Sequence, residues 1–245
     1  MNSGMYAAVS GDMVMMQRMD VITNNLANVN TVGFKKDRMN FVTMLDSVKN
    51  PTRKNGTPTG APVLADYNVE TDYSPGALRQ SGNPLDLALD GNGFFVLDTP
   101  RGQAYTRQGN FHLDSDGRVV SADGYVVQGN GGPITIKGGR VEINDKGEVS
   151  VDGDQVATLK VVDFPRPYQL QKIGSAMFQP TDQKAIGQPA TGVQVRQGEL
   201  EDSNVQTLIE MATLIETSRM YESCVKTIQS YDDMANKAAN DLGRV

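Results

Sequence analysis

Arg219-Met220-Tyr221-Glu222-Ser223-Cys224-Val225-Lys226-Thr227-Ile228 sits inside a run, residues 203–242, that contains neither proline nor glycine. Along it Met211, Leu214, Ser218, Tyr221, Val225, Ile228, Asp232, Ala235, Ala239 and Leu242 fall alternately three and four residues apart. That spacing draws one stripe down a helix, interrupted by the polar Ser218 and Asp232. At ~1.5 Å per residue, one helix over this run is about 60 Å long. Asp202, Ser203 and Asn204 offer capping chemistry just before it. The other end of the chain repeats the pattern with Met5, Ala8, Asp12, Met15, Met19, Ile22, Leu26 and Val29, a helix of about 37 Å with Asp12 as its interruption. Thr31-Val32-Gly33 is expected to end it, since Gly33 can turn left-handed. A stripe at each terminus predicts that the two helices pair as a coiled-coil-like layer.

Between the helices the period changes. Phe94-Phe95-Val96-Leu97, Ala104-Tyr105-Thr106-Arg107, Phe111-His112-Leu113, Val119-Val120 and Tyr125-Val126-Val127 are short strand patterns. Asp116-Gly117 and Asp123-Gly124 separate some of them and suit hairpin turns that need a positive φ. Val141-Glu142-Ile143, Val149-Ser150-Val151 and Leu159-Lys160-Val161-Val162 continue the pattern. Pro51, Pro58, Pro62 and Pro75, with Gly56, Gly60 and Gly76, mark an extended or irregular connector, and 179–192 is a second Pro/Gly-bearing stretch. The expected fold is α+β. The N-terminal helix lies in residues 1–45, a linker in 46–76, a central all-β domain of antiparallel sandwich or barrel-like form in 77–195, and the C-terminal helix in 196–245.

The composition removes several function classes. Net charge is -6, with basic pairs only at Lys35-Lys36 and Arg53-Lys54, whereas a nucleic-acid partner calls for a basic face. No stretch approaches the ~20 apolar residues of a membrane span, and Met1-Asn2-Ser3-Gly4-Met5 lacks the basic and apolar regions of a Sec signal peptide. A single Cys224 and a single His112 leave no intrachain disulfide and remove the commonest zinc sites.

Asn24-Asn25-Leu26-Ala27-Asn28-Val29-Asn30-Thr31-Val32-Gly33-Phe34-Lys35 resembles the N-terminal signature of flagellar rod and hook proteins. Pro84-Leu85-Asp86-Leu87-Ala88-Leu89, Gly91-Asn92-Gly93-Phe94-Phe95 and Tyr105-Thr106-Arg107-Gln108-Gly109-Asn110-Phe111 look like the start of that family's β-domain. Gly198-Glu199-Leu200-Glu201-Asp202-Ser203-Asn204-Val205 and Arg219-Met220-Tyr221-Glu222 are similar to its C-terminal signature. Within the family, the opening Gly4-Met5-Tyr6-Ala7-Ala8 and the single short β-domain look most like the proximal-rod type, with the distal-rod type as nearest rival.

The resemblance implies a structural subunit of the flagellar basal body. Paired terminal helices would line a hollow shaft, and the β-domain would lie outside them. Its partners would be other rod proteins, copies of itself and the flagellar type III export apparatus, with the rod crossing the periplasm where an outer membrane is present. No cofactor, metal or catalytic residue is implied. The candidate subunit-interface residues are the seam positions Met15, Met19, Ile22, Leu26, Leu214, Tyr221, Val225 and Ile228, and the signature positions Asn24, Asn25, Asn28, Gly33, Phe34, Ser203, Asn204 and Val205. Asn24, Asn25 and Asn28 could bond adjacent helices and fix their register, or merely cap a helix end. Met1, Met5, Met13, Met15 and Met16 suit non-equivalent packing sites, because methionine is unbranched and adaptable.

Sharper chemical readings are weaker. Asp114-Ser115-Asp116-Gly117 lacks the distal ligands of a calcium loop and reads as a hairpin turn. Gly129-Asn130-Gly131-Gly132 has no Gly-Lys-Ser/Thr after it, so it is not a phosphate loop. Asp86 and Asp90 read as solvated loop acids rather than a catalytic pair. His112 is expected to face away from Phe111 and Leu113, and Cys224 to be a small packed residue. A secreted cell-wall hydrolase would need a further catalytic module that the chain has no residues to encode. A coiled-coil adhesin or secretion-needle component would explain the helices but not the signatures.

Overall fold

The computed structural model describes residues 3–42, 66–174, 176–182, 185 and 187–242. It has one helix near each end and a β-rich region between them, an α+β chain. Residues 46–65 of the expected 46–76 linker, and 43–45 before it, lie outside the described residues, as do the side chains of Ala239 and Leu242. The chain forms two compact units. The first comprises Met1–Ala27, Lys36–Asp72 and Gln206–Val245, and the second Asn28–Lys35 and Tyr73–Val205.

In the first unit, helix α1 (Ser3–Ala27) packs against helix α2 (Thr207–Leu242). The α2 stripe that is shielded runs Glu210, Leu214, Thr217, Tyr221, Cys224, Ile228 and Tyr231. It keeps the alternation of three and four residues and shares Leu214, Tyr221 and Ile228 with the sequence pattern, whose Ser218 and Val225 are also half-buried beside it. It is rotated away from Met211, Asp232 and Ala235, which are exposed. Thr217 can be buried because its hydroxyl donates to the Thr213 carbonyl at 2.8 Å. On α1, Val14, Ile22 and Asn25 are buried, while Met15, Met19 and Leu26 are half-buried. A side chain at Gly11 would meet Cys224 Sγ at 3.5 Å, so the helices approach closely there.

Helix α1 stops at Ala27, before the expected Thr31-Val32-Gly33. Asn28 turns the chain: its carbonyl accepts Thr31 N–H at 3.1 Å and its Oδ1 accepts the Thr31 hydroxyl at 3.2 Å. Val29, the last residue of the sequence stripe, is therefore not helical. Strands Asp37–Val42 and Asp66–Thr71 then pair antiparallel, Asp37 opposite Thr71, where helix context and connector were expected.

The second unit is built around the strand Phe94–Thr99. Its run of apolar residues is continuous because both faces are covered. Phe95 and Leu97 point into a core with Leu87, Phe111, Val127, Ile134 and Val195. Phe94 and Val96 point the other way, into a cluster with Tyr105, Phe164 and Phe178. The strand pairs with Gly102–Thr106, Val126–Gly129 and Val161–Asp163, all antiparallel. Smaller sheets join Gln194–Gln197 to Leu87–Asp90, Glu199–Glu201 to Leu78–Gln80, and Val141–Ile143, Glu148–Val151 and Asp154–Thr158 to one another. Residues 194–197 and 199–201 are thus strand, where the sequence boundary had the C-terminal segment begin at 196.

Asp114-Ser115-Asp116-Gly117 is the turn its composition suggests. Asp114 Oδ1 accepts the N–H groups of Asp116 and Arg118 at 2.9 and 2.8 Å, Gly117 has φ +76°, and the flanking strands pair.

Candidate functional site

Two features stand out. The first belongs to the helix pair. Beyond the shielded stripes, α1 exposes Val9, Met13 and Met16, spaced four and three residues apart, with Met13 63% exposed. Helix α2 exposes Leu208, Met211 and Ile215, spaced three and four apart, with Leu208 84% exposed, and Ile209 beside them. Each set falls on one face of its helix. Scattered apolar residues on a surface are ordinary, but aligned rows on two helices of one unit are not.

The second feature is a buried charge cluster inside the second unit. Lys35 Nζ lies 2.5 Å from Glu201 Oε1, both side chains 1% exposed, and also donates to the Ser74 carbonyl at 2.8 Å. Gly76 N–H donates to the same Glu201 oxygen at 2.9 Å. Arg107 Nη1 reaches Glu201 Oε2 at 3.2 Å and the Leu89 carbonyl at 3.0 Å, and its Nη2 reaches the Gly91 carbonyl at 2.5 Å. Backbone carbonyls therefore offset the excess of two cations over one carboxylate. Gly33 N–H donates to the Glu201 carbonyl at 2.7 Å. Gly33 has φ +66°, and a Cβ there would overlap the Arg107 carbonyl carbon, so only glycine fits. A Cβ at Gly76 would likewise overlap the Asp202 carbonyl oxygen. Lys172 Nζ donates to the Lys35 carbonyl at 2.6 Å and sits 4.4 Å from the centre of the Phe34 ring.

Among the described residues no comparable constellation suggests chemistry. Among the described residues no group of three His, Cys, Asp or Glu could hold a metal. Asp86 is not a solvated loop acid. It is buried at the start of Leu87–Asp90, where its Oδ1 accepts from Asn83 Nδ2 at 3.1 Å and its carbonyl from Gly198 N–H at 2.8 Å. Asp90 is exposed and pairs with Arg196 at 3.3 Å. His112 is exposed on its strand, as expected. An open groove of about 640 Å³ between Gln80, Leu85, Leu113, Val141 and Gln197 has Arg140 and Glu142 as its charged lining, and these pair with each other at 3.1 Å.

Three family models match the chain in order. The flagella basal body rod protein model matches residues 5–35, the flagellar hook protein FlgE/F/G D1 domain residues 88–151, and the flagellar basal body rod FlgEFG protein C-terminal model residues 196–242. The flagellar basal-body rod protein FlgG of Bacillus subtilis is 35% identical, over 96% of this chain and 97% of its own. The rod protein FlgF of Caulobacter vibrioides is 33% identical, over 100% of both chains, and FlgF of Rhizobium meliloti is 32% identical, over 99% of both. The chain belongs to the flagellar basal-body rod protein family. It is a structural subunit of the flagellar rod.

Several signature residues of this rod subunit have partners inside it. Asn25 is buried, and its amide holds the Asp37 backbone both ways, Nδ2 to the carbonyl and N–H to Oδ1, each at 2.9 Å. The register it fixes is that of the strand after α1. Asn28 holds the turn described above, and Asn24 is exposed. Phe34 and Val205 are buried in the second unit, and Gly33 lies against Arg107. Asn204 lies three residues before α2 begins at Thr207, and its side-chain amide donates to the Ser74 carbonyl and hydroxyl, both at 3.1 Å. Ser203 accepts Val205 N–H at 3.3 Å, and α2 opens instead on the Gln206 carbonyl, which accepts from Ile209 and Glu210. Lys35, Arg107 and Glu201 all lie within the quoted motifs, yet the sequence showed no role for them. Lys36 and Asp37 follow Lys35, and Glu199 and Asp202 flank Glu201, so nothing in the local sequence set these charges apart.

Proposed function

We propose that the chain is a subunit of the proximal-rod, FlgF type. On this reading it stacks with copies of itself and other axial proteins through its two terminal helices, paired as a coiled-coil-like layer lining a hollow shaft. The observation that carries this is the pair of exposed apolar rows, Val9-Met13-Met16 and Leu208-Met211-Ile215, outside the shielded stripes. Burying such rows between subunits is favourable at roughly 25 cal/mol per Å². A head-to-tail contact that does not close on itself builds a helical shaft. The seam residues Met15, Met19, Ile22, Leu26, Leu214, Tyr221, Val225 and Ile228, all at least half shielded in the single chain, then set the geometry that presents the outer rows. The signature residues Asn24, Asn25, Asn28, Gly33, Phe34, Ser203, Asn204 and Val205 act beside them, shaping where each helix meets its next segment.

The FlgF assignment is supported by length. Two FlgF proteins align over 253 and 248 residues with 99–100% of both chains covered, close to the 245 of this chain, whereas two FlgG proteins need 270 and 273 aligned positions and two others, at 243 and 244, cover only 89% of this chain. Delivery by the flagellar type III export apparatus, a position in the periplasm where an outer membrane exists, and a non-catalytic role without cofactor or metal complete the proposal. Among the described residues no helix is long and apolar enough to cross a membrane.

The test is cross-linking in purified basal bodies. In a Cys224→Ser background, Met13→Cys and Met211→Cys in the same chain should give disulfide-linked multimers on oxidation. Monomers alone, from intact rods, would refute the proposed contact.

A further inference from the structure

We infer that Glu201 is a mechanical clamp, closing with one buried carboxylate the three short segments through which the chain passes between its two compact units. The inference rests on the rod reading only for the origin of the load. The chain leaves the first unit at Ala27, returns at Lys36, leaves again after Asp72 and returns at Gln206. Every covalent path between the units therefore runs through residues 28–35, 73–76 or 201–205. In a shaft that transmits torque, these segments are the covalent route for force between the helices and the β-unit.

Glu201 and its neighbours hold all three together, and every contact involved lies inside the second unit. Segment 28–35 is held by the Lys35 ion pair, by Gly33 N–H on the Glu201 carbonyl, and by Asn204 N–H on the Phe34 carbonyl at 3.4 Å. Segment 73–76 is held by Gly76 N–H on the carboxylate and by Lys35 and Asn204 on Ser74. Segment 201–205 is Glu201's own, and Asp202 N–H on the Ala77 carbonyl at 2.8 Å ties it on. Arg107 anchors the carboxylate to the loop after the strand Gly102–Thr106, so the clamp is fixed to the sheet and not only to itself. A carboxylate is the group that can accept from two cations and a backbone N–H at once. Burial keeps water from competing for those bonds, which an exposed pair such as Arg79–Asp202 cannot prevent.

The experiment is single-molecule pulling on the full-length chain in a Cys224→Ser background, with handles at Met234→Cys on α2 and Asp123→Cys on an exposed turn. The wild-type trace is expected to show release of the clamp followed by unfolding of the β core. Glu201→Gln, and independently Lys35→Met, should shift the first event to lower force and leave the force and length of the second unchanged. Arg79→Ala should shift neither. An unchanged first event in both variants, or a parallel shift of both events, would overturn the clamp. Because no rod is needed for the measurement, that outcome is separate from failure of the rod assignment, which the basal-body cross-links decide.

Discussion

Lys35 and Glu201 stand 166 positions apart in sequence and meet as an ion pair with both side chains 1% exposed. One belongs to the segment that follows α1 and the other to the strand that precedes α2. Removing one member of such a pair leaves a buried charge without its partner, a loss of about 3–5 kcal/mol. Glu201→Ala is expected to cost more than Lys35→Ala, since it strands both Lys35 and Arg107, whereas Lys35→Ala leaves Glu201 with Arg107. Melting of the two single variants and the double variant checks this. A coupling energy near zero between the sites would show that the pair contributes nothing.

Gly33 and Gly82 separate two costs that a left-handed glycine can carry. Both have positive φ, +66° and +76°. A Cβ at Gly82 meets nothing within 4 Å, while one at Gly33 overlaps Arg107. Gly82→Ala should therefore cost only the backbone penalty of about 1–2 kcal/mol. Gly33→Ala should cost more and disturb the Arg107 contacts to Glu201, seen as a larger fall in melting temperature. Equal effects would show that the backbone at Gly33 yields.

The two helices and the strand-rich middle were legible because their periods are long or often repeated: ten positions at three-four spacing on α2, and turn signals at Asp116-Gly117 and Asp123-Gly124. Other features were not. The pairing of Asp37–Val42 with Asp66–Thr71 is set by a tertiary hold of Asn25 on Asp37, which no local pattern announces. The shielded α2 stripe includes Glu210 and Thr217, polar residues that a hydrophobic count discards. Thr217 is satisfied by its own helix, and Glu210 lies 4.0 Å from Lys36. The Lys35–Glu201–Arg107 cluster was illegible for the same reason, since charge in sequence reads as surface until its partner is placed.

The extent of the β-unit sets the third expectation. A fragment of residues 77–195 cuts the pairing of Gln194–Gln197 with Leu87–Asp90 after two of its four matched positions and loses Gly198 N–H on the Asp86 carbonyl. It also lacks Glu201. We expect 73–205 to fold as an independent β-domain by circular dichroism and to melt well above 77–195. Equal melting would place the boundary at the shorter span.

Alkaline pH should loosen the aromatic cluster of this unit. Burial raises the Tyr105 phenol above its ordinary value, and burial with the hydrogen bond from the Tyr168 hydroxyl to Asp163 Oδ1 at 2.8 Å raises Tyr168. In both the fold favours the protonated form. Their contribution is thus fully present below the unfolded value of about 10 and is lost as pH rises through the higher folded values. Melting followed against pH should fall in that window, and Tyr168→Phe should flatten part of the fall. No change in the profile on that substitution would remove Tyr168 from the account.

Ile22 and Met13 offer the sharpest division between folding and assembly on α1. Ile22 is 4% exposed, and Met13 is 63% exposed on the outward row with Val9 and Met16. Ile22→Asp buries a charge with no partner and should cost several kcal/mol, about 3–5 by analogy with broken buried pairs. The helix pair of the isolated chain should then loosen while the β-unit melts as before, because Ile22 is not part of it. Met13→Asp places its charge in water, so both units of the isolated chain should melt at their normal temperatures. In cells, both variants are expected to abolish motility and intact basal bodies, Ile22→Asp by deforming the surface that is presented and Met13→Asp by charging the contact itself. The measurements are helical signal and melting of the pure chains, set beside motility and basal-body yield. Normal motility with Met13→Asp would mean that the outward row faces solvent in the rod, and the assembly contact would have to lie elsewhere.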